Sequence, residues 1–114
     1  MKTLLDIQLS QQLWKALQES QKRLSAEFAI DRFILFGSIV RGEADEESDV
    51  DLLIVLKDPP THQVRNAISR LILNINLEYD TNLSGLVVDQ KAWDEGLLTV
   101  LPIHEAIEAE GLRL

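Results

Sequence analysis

The sequence predicts an α+β fold, sandwich-like, in which a small mixed β-sheet is packed by helices in the order α-β-β-α-β-α. Three observations predict it. An amphipathic helical period fills the first quarter of the chain. Two short apolar runs, RFILFG (32–37) and SDVDLLIVL (48–56), are bounded by turn residues and read as strands. A second helical period then precedes a third, weaker strand.

Each element has its own signal. Residues 8–28 place Leu9, Leu13, Leu17, Leu24 and Phe28 one or two helical turns apart, with Lys15, Glu19, Lys22 and Glu27 between them. RFILFG ends on glycine, which closes the strand. The second strand carries a continuous apolar half, the pattern of an inner strand covered on both faces. In KDPP, Asp58 is read as a cap and Pro59 as the first helical residue. The helix that follows lines up Val64, Ile68, Leu71, Ile72 and Ile75. DTNLSGLVV (80–88) is the third strand, KAWDEG a turn or short helix, and Pro102 to Glu110 a last helix stopped by Gly111.

Composition narrows the function. With 114 residues and no linker, repeat or low-complexity tract, residues 1–114 read as one domain. The formal net charge of -8 disfavours a nucleic-acid binder and docking on anionic lipid, and suits a basic patch on a partner protein. There is no cysteine, so disulfides and thiolate metal sites are excluded. The N-terminus lacks the apolar block of a signal peptide, and no stretch reaches the ~20 apolar residues of a membrane span. A cytoplasmic protein is expected.

The chemistry lies in FGSIVRGEADEESDVDLL (36–53). Asp49 and Asp51 are two apart on a strand, so both project from one face, about 6–7 Å apart along the backbone. Such a pair either sits at a solvated strand end or holds a hard cation; Mg²⁺ takes one or two carboxylates plus water and phosphate oxygens. Gly37 ends the preceding strand and lets backbone approach a ligand, and Ser38 starts the next turn, with N–H groups and a hydroxyl suited to phosphate. Arg41 adds charge there or pins the loop to an acidic neighbour. Each feature alone is common on protein surfaces; their order beside two apolar strands outlines a nucleotide site. His62 and His104 read as isolated surface or helix-end residues. Trp14 reads as core or interface, and Trp93 as packing the C-terminal segment onto the sheet.

Gly37-Ser38, ten residues, then Asp49-Val50-Asp51 resembles the G-S-x10-D-x-D signature of the DNA polymerase β-like nucleotidyltransferases. The whole chain is similar to their minimal members. The resemblance implies ATP or another nucleoside triphosphate with Mg²⁺. It places Asp49 and Asp51 on metal, and Gly37, Ser38, Arg41 and Ser48 on the nucleotide side. Many minimal nucleotidyltransferases are antitoxins that bind a HEPN-family ribonuclease toxin and transfer AMP to one of its tyrosines. A HEPN partner in a hetero-oligomer is therefore implied, with a docking surface borrowed from it.

The family also carries a third carboxylate on the strand after the helix. Alignment puts Asn82 there; Asp80, two residues earlier, would share its face on a regular strand and complete the catalytic and metal set. If Asn82 holds the position instead, a weak or inactive binding module becomes the alternative to the enzyme. A third reading is a structural domain with solvated aspartates, which would bind no nucleotide.

Overall fold

The computed structural model describes residues 9–43 and 48–114. The first residues of the N-terminal stretch, with Gln8 of the expected helix, and residues 44–47 of the loop before the aspartates lie outside the described residues.

Helix α1 (Gln11–Glu27) starts where Ser10 accepts a hydrogen bond from the Leu13 N–H through its side chain. It buries Leu13, Ala16, Leu17 and Leu24. Ser20 lies fully buried on the same face, its hydroxyl donating to the Ala16 carbonyl, so the polar group is satisfied inside the helix. Strand β1 (Ile30–Phe36) follows, then one short turn of helix, α2 (Ser38–Arg41).

Strand β2 (Val50–Leu56) pairs antiparallel with β1 and parallel with β3 (Leu83–Asp89). As its continuous apolar run predicts, β2 is covered on both faces. Leu52, Ile54 and Leu56 join the core under α1 and α3 (His62–Tyr79), while Leu53 and Val55 join a second core on the opposite face. The second core is roofed by α4 (Gln90–Asp94) and α5 (Pro102–Glu110) through Trp93 and Ile107. The sheet is thus the middle layer between two helical layers.

Three details differ from the sequence expectation. Helix α3 is capped by Thr61, whose hydroxyl oxygen accepts from Val64 N–H at 3.2 Å, not by Asp58 with Pro59 inside the helix. Pro59 precedes Pro60, and a residue before proline is pushed out of the helical region. Second, the sheet has a fourth strand, β4 (Leu112–Arg113), on the outer edge of β1, giving the order β3-β2-β1-β4. Two residues are too short to show a period in sequence. Third, Gly111 stops α5 in an extended conformation, φ -62°, rather than a left-handed one. Glycine is needed there for space: a Cβ would sit 2.4 Å from the Ile107 carbonyl oxygen and 2.6 Å from Ile34 Cγ2.

The other aromatic and histidine expectations divide. Trp93 is buried against the sheet as expected, and its indole N–H donates to Glu108 at 2.8 Å. His104 is not isolated: its ring lies 4.3 Å from that of Trp93 and its Nε2 is 2.8 Å from the Trp93 carbonyl oxygen. His62 is the exposed first residue of α3. Trp14 is at the rim of α1, not in the core.

Candidate active site

Asp49 and Asp51 stand at the N-terminal end of β2, where the inner strand emerges from the core. Val50, between them, is buried in the α1/α3 core, so alternation sends both aspartates to the other face. There α4 and α5 cover Leu53 and Val55, farther along the strand. Asp49 is exposed and Asp51 partly buried.

The Gly37–Ser38 turn meets this pair directly. Phe36 is the register partner of Asp51, so the chain turns beside that carboxylate. Gly37 has φ +84°, and a Cβ there would lie 2.3 Å from Asp51 Oδ2. Two independent constraints therefore demand glycine: the positive φ and the carboxylate oxygen over its Cα. Gly37→Ala should push Asp51 aside and strain the turn. We expect a stability loss of about 1–2 kcal/mol in urea unfolding. Any reaction that needs Asp51 in place should fall at least ~100-fold.

Electrostatics fit a cation site. Partial burial, and then the nearby Asp49 charge, push the Asp51 carboxyl above its ordinary pKa, while Arg41 pulls it back. Arg41 is itself tied by ion pairs to Glu43 at 3.0 Å and Glu110 at 3.2 Å, which staples the α2 turn to the end of α5. Arg41 thus pins the loop to acidic neighbours and also sets positive charge near Asp51, the two roles weighed from sequence. Ser38 opens α2, and Ser48 lies just before Asp49.

The expectation for Asp80 is corrected. It is not on β3, which begins at Leu83. Asp80 caps the C-terminus of α3 in the left-handed conformation, φ 53°, so strand parity does not reach it. Among the described residues no three histidine, cysteine or acidic side chains cluster to hold a metal, so Asp80 does not join Asp49 and Asp51. Left-handed backbone costs a non-glycine residue about 1 kcal/mol. Asp80→Gly should raise stability by roughly 0.5–1 kcal/mol, read as a higher urea midpoint, and should leave chemistry at Asp49 and Asp51 unchanged.

The β3 side of the site is built by a residue that sequence reasoning passed over. Asn76 of α3 donates to the Leu83 carbonyl at 3.0 Å and accepts from the Leu83 N–H at 2.8 Å and the Thr81 hydroxyl at 3.0 Å. This fixes where β3 begins. Asn82 then accepts from Val50 N–H through its carbonyl, and its side-chain amide donates to Asp49 Oδ1 at 2.5 Å. The one available signal was a pair of asparagines, Asn74 and Asn76, inside the apolar run LILNINL (71–77), which does not say which of the two turns to β3. One register step on, Ser84 pairs with Asp51.

The donor set fits Mg²⁺ in one form. Two carboxylates and the Ser84 hydroxyl are hard oxygen groups, the Asn82 amide turns its N–H to Asp49, and two like charges side by side favour a cation between them. Among the described residues such groups are too few for a metal cage made of protein alone, and phosphate oxygens of a substrate would complete the coordination. Asp49 and Asp51 are the residues that would hold it.

A mixed sheet between helices, with paired aspartates at the mouth of its inner strand facing a glycine–serine turn, defines a nucleotidyltransferase-type scaffold. The chain belongs to the nucleotidyltransferase domain family, whose model matches residues 11–109. It is 39% identical over 74 residues to protein adenylyltransferase MntA of Thermococcus cleftensis, covering 64% of this chain and 66% of that protein. A provisionally named protein adenylyltransferase of Methanocaldococcus jannaschii is 45% identical over 58 residues, 51% of this chain and 59% of that one. The matches thus span about three-fifths to two-thirds of these relatives' length. In structure, the fold resembles a minimal nucleotidyltransferase at TM-score 0.61 and 22% identity, covering 93% of this chain and 97% of the other. A nucleotidyltransferase-fold protein of Sulfolobus solfataricus gives TM-score 0.56 at 22% identity, covering 75% and 77%.

Proposed function

We propose that this protein transfers AMP from ATP to a hydroxyl of another protein, a tyrosine of a HEPN-family toxin, and so acts as its antitoxin in the cytoplasm. The observation that carries the transferase reading is the Asp51 carboxylate seated over Gly37, with Asp49 beside it at an open strand end. The protein acceptor is supported by the relatives' names. Among the described residues no helix is long and apolar enough to cross a membrane.

In this reading Asp49 and Asp51 would hold Mg²⁺, which would supply the positive charge that offsets the triphosphate and the leaving pyrophosphate. Asn82 steadies Asp49 through its amide. Gly37 allows the triphosphate to approach the backbone, and Ser38 offers a hydroxyl and N–H beside it. Arg41 and Ser48 frame the nucleotide side. The acceptor oxygen bonds to the α-phosphorus, the bond to the bridging oxygen breaks, pyrophosphate leaves with the electron pair, and the hydroxyl proton passes to solvent. Positioning and charge neutralisation supply the acceleration.

A docking face for the partner is supported by Leu73 and Leu77, one turn apart and exposed on the last two turns of α3, the helix that leads into Asn82. The net charge of -8 favours a partner with a basic surface.

One observation favours a second reading, a binding module with slow or absent chemistry: no third carboxylate joins the pair among the described residues. Intact-mass spectrometry of the candidate HEPN partner after incubation with this protein, ATP and Mg²⁺ separates the two. A gain of AMP units supports the transferase. A stable complex with no mass gain supports the binding module.

A further inference from the structure

The parallel register of β2 and β3 decides which side chain faces Asp51 across the strands. Val50 pairs with Leu83, and both are buried in the α1/α3 core. Asp51 pairs with Ser84, so these two share the opposite face, one strand spacing of about 4.8 Å apart. Ser84 is exposed. The next residue on that face, Leu86, is apolar and 37% exposed. Asn82, on the other side, is engaged with Asp49. Along β3 the site is therefore walled by an amide, a hydroxyl and a leucine, and the place from which a third carboxylate could reach a cation beside Asp51 is occupied by a neutral hydroxyl.

We propose that Ser84 sets the site's metal affinity. With two carboxylates among the described residues, the site binds a divalent cation weakly by itself and takes it up together with the nucleotide, whose phosphates supply the missing negative charge. The inference rests on Asp49 and Asp51 being the metal-holding residues. It follows from charge count: affinity for hard cations at oxygen sites is tuned by the number of anionic ligands. An exposed strand end leaves room for a longer side chain at position 84 without disturbing the core.

The test is a Mn²⁺ titration read by water-proton relaxation enhancement, which separates protein-bound manganese from free manganese–nucleotide. It is run on the full chain with and without an ATP analogue that cannot be cleaved between its α- and β-phosphates. The wild type should bind Mn²⁺ weakly alone and more tightly with the analogue. Ser84→Asp should bind Mn²⁺ alone at least ~10-fold more tightly than the wild type, the scale of one added carboxylate at a solvated site. Ser84→Ala should stay within about twofold of the wild type, because a neutral hydroxyl contributes little charge. Circular dichroism checks that each variant folds. A folded Ser84→Asp with unchanged Mn²⁺ affinity overturns the proposal, as does a wild type that binds Mn²⁺ equally well with and without the analogue. Asp49→Asn/Asp51→Asn is run alongside. If that variant keeps the analogue-dependent binding, it is the assignment of the aspartate pair that fails; if it loses binding while Ser84→Asp gains none, only the role of Ser84 fails.

Discussion

Replacing both aspartates, Asp49→Asn with Asp51→Asn, should abolish the proposed AMP transfer to a partner while leaving the protein folded. The two losses separate because of where the residues stand. Both lie at the emerging end of β2, one exposed and one partly buried, and neither belongs to a core cluster. The core below them, from Leu52 to Leu56, is untouched by the change. Asparagine keeps the size and removes the charge, and with it the burial cost and then the mutual repulsion that raise the Asp51 pKa. Folded stability should therefore hold or rise slightly. Transfer should fall by at least ~10³-fold, the scale on which loss of a charge-neutralising group acts at a transition state. The readout is the AMP mass shift on the partner, with thermal unfolding as the control. Wild-type transfer rates in the double variant would refute the site. Retained partner binding in a variant that transfers nothing would show that recognition and chemistry use different surfaces.

The second large effect is on stability. Trp93 is 1% exposed and joins Ile34, Leu53, Val55, Val88 and Ile107 in the core that fastens α4 and α5 to the sheet. It also anchors Glu108 through its indole N–H and stacks near the His104 ring. Trp93→Ala removes the largest side chain of a small core whose remaining members cannot all close the gap. A loss of about 3–5 kcal/mol is expected, which in a chain of this size lowers the melting temperature by ~10–30 °C. Trp93→Phe keeps a ring but not the N–H, and should cost roughly 1–2 kcal/mol. Differential scanning calorimetry of the two variants checks the order. A Trp93→Ala protein melting within a few degrees of the wild type would mean that the α4/α5 layer adds little to the fold.

Both predictions act through features that differ in how they could be read. The aspartates were legible in sequence, because D-x-D and G-S are local patterns and strand alternation alone puts Asp49 and Asp51 on one face. Trp93 was legible as a packing residue, but its partners were not: Glu108 and His104 lie 15 and 11 residues away. The apolar run of β2 announced burial on both faces, and the helical periods of α1 and α3 announced their buried stripes. These are short-range signals, set by which side chains water rejects within one turn or one strand pair.

What sequence by itself determined was the set of layers, the inner position of β2 and the aspartate pair sharing one face at its end. Tertiary structure alone decided the rest of the site. Asp80 looked like a strand residue, yet α3 runs on to Tyr79 and leaves Asp80 as its left-handed cap. The start of β3 was set by Asn76 reaching across to Leu83, a side-chain-to-backbone match that no local pattern encodes. That anchor fixes the register, and a register shift of one residue would turn every side chain of β3 to the other face. It is why Ser84, rather than a carboxylate, stands opposite Asp51. Pairing between strands distant in sequence depends on the summed fit of both cores, so the third wall of the site became visible only in the folded chain.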